Sequence, residues 1–412
     1  MPVTAEKSAD PTAIREFTIE TPEADLDDLR ARIAATRWPE KETVDDASQG
    51  PQLAMMQAVA RYWAEEYDWR KCEEKLKALP HFITEIDGLD IHFIHVRSEH
   101  EDALPLLVCH GWPGSVIEQL KLIDPLTNPT ADGASAADAF HLVIPSMPGY
   151  GFSGKPTETG WGPKHIARAY AELMKRLGYD RYVATGGDWG AEMVDVMGAQ
   201  APPGLLGIHT NFAGAVRPDV AAGIQAGAAP SGLDDEETRN YEKLASFFAT
   251  DAGYAIESAT HPQALYAIAD SPVGLAAWLL DHDATSMAMI SRVFVDGAQE
   301  GLTRDDVLDN ITHYWLTNTG VSSARIYWED RLNFFDPKGW PTAPTTASAI
   351  VDIPVAVSVF PDEIYTPPRS WAEEAYPKLI HYNKLDKGGH FAAWEQPELL
   401  SEEVRTGFRK LR

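Results

Sequence analysis

Apolar positions along the chain change their period from segment to segment. Near the N-terminus Leu26, Leu29 and Ile33 recur at helical spacing behind Thr21-Pro22, which fits an N-cap followed by proline at the first helical position; Trp38-Pro39 closes the segment. A second helical stretch is expected from about Leu53 to Leu79, with Trp63, Tyr67 and Trp69 as core aromatics. From His81 the period falls to two. Phe82 to Ile86 and Leu89 to Val96 alternate about Asp87-Gly88, a strong hairpin signal. Short apolar runs bounded by Gly, Pro or Asn come next: Leu104 to Cys109, His141 to Ile144, Tyr182 to Thr185 and Leu205 to Thr210, with helical segments such as Pro163 to Leu177 between several of them. Continuous apolarity suits strands covered on both faces, so a mostly parallel sheet flanked by helices is expected. From about Ala213 to Gly320 the chain is Ala-rich and helix-compatible, without a convincing central strand. Strands resume at Ile353 to Phe360 and Leu379 to Leu385, and a last helix runs from about Pro397 to Phe408.

A helical block interrupting a βα series reads as an inserted cap over an active site. The expected division is an N-terminal helical extension over 1–80, an α/β core in two parts, 81–212 and 321–412, and a helical cap over 213–320. With 412 residues, 44% hydrophobic and 24% charged, the chain can bury a sizeable core, which excludes wholesale disorder. Its 62 acidic against 35 basic side chains give a formal net charge of -27, a field that repels nucleic acid and anionic membrane surfaces. Cys72 and Cys109 make neither a disulfide framework nor a zinc knuckle, which suits a reducing compartment. No signal peptide is visible in the first twenty residues, and no apolar run approaches the ~20 residues that span a bilayer. A soluble, cytoplasmic protein is expected, and a homo-oligomer is left open.

The candidate chemistry begins at Thr185-Gly186-Gly187-Asp188-Trp189-Gly190-Ala191, between an apolar strand and a helix-compatible run. Gly186 and Gly190 flank Asp188 as glycines flank the serine of a nucleophile elbow. The same residues also suit a plain Gly-rich turn in which aspartate caps the helix. An earlier strand ends at Val108-Cys109-His110-Gly111-Trp112-Pro113-Gly114, where the backbone N–H groups of Trp112 and Trp189 could converge on one oxygen. His110, at the start of this turn, is read as structural. Downstream, Phe360-Pro361-Asp362-Glu363 and Lys387-Gly388-Gly389-His390-Phe391 each come after a strand. Nucleophile, acid, histidine is the chain order of α/β-hydrolases, so Asp188, Glu363 and His390 form a candidate triad. Gly149-Tyr150-Gly151-Phe152-Ser153-Gly154 spells a dinucleotide fingerprint, but Pro148 and Pro156 bracket it and discourage the helix start such a site needs. No histidine or carboxylate cluster has metal-ligand spacing, so neither metal nor cofactor is expected.

Taken together, these residues resemble the microsomal-type epoxide hydrolases, α/β-hydrolases with a long N-terminal helical extension. The resemblance runs from about Phe17 to the end. It rests on His110-Gly111-Trp112-Pro113-Gly114-Ser115, Gly187-Asp188-Trp189-Gly190, Ser271-Pro272-Val273-Gly274-Leu275-Ala276-Ala277-Trp278, Phe360-Pro361-Asp362-Glu363 and Gly388-Gly389-His390-Phe391-Ala392-Ala393-Trp394-Glu395. It implies Asp188 as nucleophile, Glu363 as acid, His390 as base and two cap tyrosines holding the epoxide oxygen. Tyr327 matches one of these. Tyr254 matches the other, with Tyr266 as the fallback. Membrane-bound relatives carry an N-terminal anchor that this sequence lacks, which supports a soluble member; a small apolar epoxide and water are the expected partners.

A carboxylate attacks a strained, saturated carbon without first losing a proton, which is the chemical reason for aspartate at an elbow where esterases use serine. Two other readings share these residues. A haloalkane or haloacid dehalogenase also uses an aspartate nucleophile, though its halide leaving group wants N–H donors rather than acidic hydroxyls. A ligand-binding homologue without catalysis would have no need of the whole constellation.

Overall fold

The computed structural model describes residue 10 and residues 12–298, 301–331 and 351–412. Among them the apolar runs form one nine-stranded sheet: β1 (Arg15–Glu16), β2 (His81–Ile86), β3 (Leu89–Val96), β4 (Leu104–Cys109), β5 (Phe140–Pro145), β6 (Tyr182–Gly186), β7 (Leu205–Thr210), β8 (Val355–Val359) and β9 (Leu379–Lys384). Their order is β1-β2-β3-β5-β4-β6-β7-β8-β9. The strands β1, β2, β3 and β5 pair antiparallel, and every pair from β5 to β9 is parallel. In the centre Leu106, Leu107, Leu142, Val143, Val183 and Ala184 are fully buried, as expected for strands covered on both faces. The chain thus adopts the α/β-hydrolase fold, a mostly parallel sheet with flanking helices.

The N-terminal segment departs from expectation in two places. Pro22 occupies the N-cap position of the helix Glu23–Ala34, and no side chain caps it. Thr21 is committed elsewhere: its hydroxyl accepts from Trp69 Nε1 at 2.9 Å and its N–H donates to Glu73 at 2.6 Å. The long helix expected from Leu53 to Leu79 is two helices, Leu53–Glu65 and Trp69–Lys77. Asp68 divides them. Its backbone is extended and its carboxylate accepts the Arg70 N–H at 3.0 Å, so a favoured N-cap residue starts a second helix.

Between β7 and β8 the described residues contain helices and no strand. Two of these helices open with capping boxes, Asp235–Ser246 through Asp234 and Glu237, and Arg304–Thr317 through Thr303 and Asp306. The helix Arg304–Thr317 is also held by the N-terminal segment. Tyr62 donates to Asp305 at 2.7 Å, Trp63 Nε1 to Thr312 at 2.9 Å and Tyr67 to Asp309 at 2.7 Å.

Strand register sets where the loops leave the sheet. Cys109 pairs with Gly186, so the chain leaves β4 and β6 at one level. Beyond β8 and β9, Asp362 bridges to Gly389, with the Asp362 N–H donating to Gly388 O at 3.1 Å. All four loops therefore leave the sheet at the carboxyl end of its parallel strands.

Candidate active site

Close backbone approaches dictate the glycines around Asp188. A Cβ on Gly186 would lie 2.2 Å from the Gly190 carbonyl oxygen, one on Gly190 2.1 Å from that of Cys109, and one on Gly111 2.3 Å from Asp188 Oδ1. Within this tight junction Asp188 itself takes φ 51° and ψ -129°, a conformation that a non-glycine residue keeps only when its surroundings enforce it. Its side chain makes no capping bond to the helix Trp189–Gln200. The capping alternative therefore falls, and the elbow geometry is what the structure displays. The carboxylate is turned to the first turn after β4: the Trp112 N–H donates to Asp188 Oδ1 at 2.7 Å, and the adjacent Trp189 N–H also favours the charged carboxylate.

That turn is braced by the helix Arg304–Thr317. Asn310 Nδ2 donates to Pro113 O at 2.7 Å, its Oδ1 accepts from Ser115 at 2.7 Å, and the Tyr314 hydroxyl donates to Gly114 O at 2.7 Å. His110 is structural here: one ring nitrogen contacts Gly111 O at 2.9 Å, and the other accepts the Met147 N–H at 3.1 Å. The Gly149 to Gly154 segment is a turn against the helix Gly320–Glu329, with Ser322 donating to Gly149 O at 2.6 Å, and is not a strand-to-helix junction.

Asp188, Glu363 and His390 come together from separate loops. His390 Nδ1 lies 2.5 Å from Glu363 Oε1, and His390 Nε2 lies 3.5 Å from Asp188 Oδ2. Glu395 fixes the histidine loop by accepting the Gly389 and Phe391 N–H groups at 2.9 and 3.0 Å. Burial opposes the charge on His390, but Glu363 and Asp188 overcome it and hold the imidazole well above its usual range. Burial likewise pushes the Asp188 carboxyl up. Contact with His390 and its charge, helped by the Trp189 N–H, outweigh that and leave it below the usual carboxylate range, hence ionised.

Both candidate tyrosines reach the site. The Tyr254 ring stacks on Trp112 at 4.8 Å, and Tyr327 stands edge-on to Trp112 at 5.7 Å and to Trp189 at 4.8 Å. Burial, with the nearby Asp188 charge, pushes both phenols well above their usual range, so both are protonated donors. Tyr266 is 68% exposed and takes no part.

The structure adds a residue that reading the sequence missed. His282 lies with its Nε2 4.0 Å from Asp188 Oδ2, its ring 4.5 Å from that of His390 and its Nδ1 3.0 Å from Asp283. The only hint in the sequence was Asp281-His282-Asp283, a histidine between two acids just after the apolar helix Pro272–Leu280. Asp188, His282 and His390 form a three-residue group with ligand-like spacing, which no local motif could reveal because its members come from three distant segments.

Known families account for this arrangement. Residues 14–119 match the family described as epoxide hydrolase N terminus, and residues 105–245 match the alpha/beta hydrolase fold. Epoxide hydrolase 1 of Oryctolagus cuniculus is 36% identical over 405 residues, covering 95% of this chain and 88% of that protein. The chain belongs to the epoxide hydrolase family. Among solved structures, the juvenile hormone epoxide hydrolase of the silkworm Bombyx mori superposes with a TM-score of 0.83 at 30% identity, covering 97% of this chain and 96% of that one. The Aspergillus niger epoxide hydrolase gives 0.78 at 27% identity, covering 100% and 98%. As an epoxide hydrolase the protein is an enzyme, which sets aside the dehalogenase and the non-catalytic readings. No helix among the described residues is long and apolar enough to cross a membrane.

Proposed function

We propose that this epoxide hydrolase converts a neutral, apolar epoxide and water to a vicinal diol through an ester on Asp188. The observation that carries the reading is the unequal setting of the two Asp188 oxygens. Oδ1 is held by the Trp112 N–H, whereas Oδ2 faces His390. Oδ2 attacks a ring carbon, the ring C–O bond breaks, and the released oxygen takes a proton from Tyr254 or Tyr327. Esterification removes one of the two anions that hold the His390 imidazole high, so its proton passes to the phenolate and the ring becomes a base. His390 then takes a proton from water, and hydroxide adds to the Asp188 carbonyl carbon. The charge that develops on Oδ1 meets the Trp112 and Trp189 N–H groups, each such donor contributing about 3–4 kcal/mol. Collapse expels the second alkoxide, which takes the proton from His390. The acid left on Asp188 returns its own proton to His390 and restores the resting state. Glu363 orients His390 and stabilises its imidazolium throughout.

Heavy-oxygen water in a single turnover tests the ester. Label should appear in Asp188 and not in the diol formed in that turnover; label passing directly to the diol would exclude the intermediate. With His390→Gln, an apolar epoxide such as styrene oxide should leave added mass on the Asp188 peptide. An unmodified peptide, where the parent enzyme consumes the epoxide, would remove Asp188 from the nucleophile role.

A further inference from the structure

His282 and Asp283 form a second imidazole–carboxylate pair that the hydrolytic chemistry does not employ. Asp283 accepts the Ser286 N–H at 2.8 Å and lies 3.0 Å from His282 Nδ1, which fixes the ring so that Nε2 faces Asp188 Oδ2 at 4.0 Å. His390 mirrors this, with Nδ1 on Glu363 and Nε2 3.5 Å from the same oxygen. Both imidazoles are 1% exposed, and neither Nε2 has a hydrogen-bond partner among the described residues.

We propose that Asp188, His282 and His390 bind one zinc-like divalent cation, and that its occupancy switches the enzyme off. Their donor atoms all lie within 4.8 Å of one another. Zinc bonds of ~2.0–2.1 Å place tetrahedral ligand atoms about 3.4 Å apart, so the observed 3.5 and 4.0 Å to Asp188 Oδ2, with no spacing above 4.8 Å, close onto a metal with side-chain movements on the order of an ångström. Each imidazole already has a carboxylate on its Nδ1, the outer arrangement that turns the Nε2 of a metal-binding histidine toward the ion, and the bound cation takes the place of the Nε2 proton. Three carboxylates, Asp188, Asp283 and Glu363, surround the two rings, an excess of negative charge that attracts a dication. Two nitrogen donors with one oxygen favour zinc, copper or nickel over magnesium or calcium. Asp188 keeps 17% of its side chain exposed, so solvent reaches the centre and completes the coordination. An occupied site has both the attacking oxygen and the base engaged as ligands. Binding stands on this geometry alone, whereas the loss of activity rests on the hydrolytic mechanism through Asp188 and His390.

Zinc chloride titrated into the metal-stripped full chain against a chromogenic chelator gives the binding directly, and cobalt chloride reports ligand geometry through its visible bands. The expected result is one zinc per chain, loss of styrene oxide turnover in proportion to occupancy, recovery with EDTA and no effect of magnesium chloride. Asp283→Asn, which keeps all three ligands, should weaken zinc about 10–100-fold, and His282→Gln should weaken it at least as much. Absence of saturable one-to-one binding, or zinc affinity unchanged in both variants, overturns the site. Zinc bound through His282 in a protein that opens no epoxide would sink the proposed reaction and leave the site standing. Turnover that proceeds undiminished at full zinc occupancy overturns the switch.

Discussion

His390 Nδ1 and Glu363 Oε1 are 2.5 Å apart in a pair of which neither side chain is more than 2% exposed. An interaction this short and dry does more than orient the ring, because the carboxylate charge is unscreened where the imidazolium must form. Glu363→Gln keeps the shape and removes the charge. Its kcat should fall about 10²–10⁴-fold with little change in KM. Rapid-quench kinetics should place the loss in hydrolysis of the ester rather than in its formation. Equal slowing of both steps would deny Glu363 this role.

The tyrosines act at the other step. Tyr254 and Tyr327 lie 5.9 Å apart by ring centroid, and both phenols stay protonated through neutral pH because burial raises them. Phenylalanine at either position should slow ester formation, and the double variant should lose about 10²–10⁴-fold. Single-turnover measurements of the alkylated Asp188 peptide separate the steps. If hydrolysis of a preformed ester slows as much as its formation, the tyrosines are not the proton donors to the epoxide oxygen.

Much of this was legible in the chain because the signals were local. Leu104 to Cys109 and Leu205 to Thr210 become strands with those limits, since four or more buried positions in a row leave little else for a short segment between turn residues. Asp188 was legible because the glycines around it answer backbone contacts that only a sharp turn creates. Glu363 and His390 followed from chain order. What failed depended on tertiary partners. Thr21 looked like a cap until Trp69 and Glu73 claimed it, and Asp68 broke a helix whose apolar spacing ran straight through. Tyr254 and Tyr266 could not be ranked by spacing; one is buried against Trp112 and the other is exposed. His282 becomes visible only when the helix Pro272–Leu280 ends beside the elbow.

Asn310 connects the helix Arg304–Thr317 to the turn that supplies the Trp112 N–H, using both ends of its amide. Asn310→Ala leaves the Pro113 carbonyl and the Ser115 hydroxyl without these partners in a buried place, at a cost of about 1–3 kcal/mol in stability. Calorimetry should record a lower Tm. The turn would also be less firmly held, so kcat should drop more than KM changes. A variant with the parent Tm and kcat would show that the turn is fixed without Asn310.

Asp195 gives a pH signature separate from catalysis. On the helix Trp189–Gln200 it accepts the Tyr376 hydroxyl at 2.8 Å, and burial, reinforced by Glu192, outweighs that bond and pushes its carboxyl from 3.8 up to about 7. Between those values the folded chain holds a proton that the unfolded chain has released. Stability therefore falls as pH rises from about 4 to about 7, and the deficit stays constant above that. Asp195→Asn keeps an acceptor for Tyr376 and has no proton to lose. Its Tm relative to the parent should rise across this window, with the variant clearly the more stable at pH 8. Paired thermal melts at pH 4.5 and pH 8 decide it: the same Tm difference at both values would mean that Asp195 does not titrate between them.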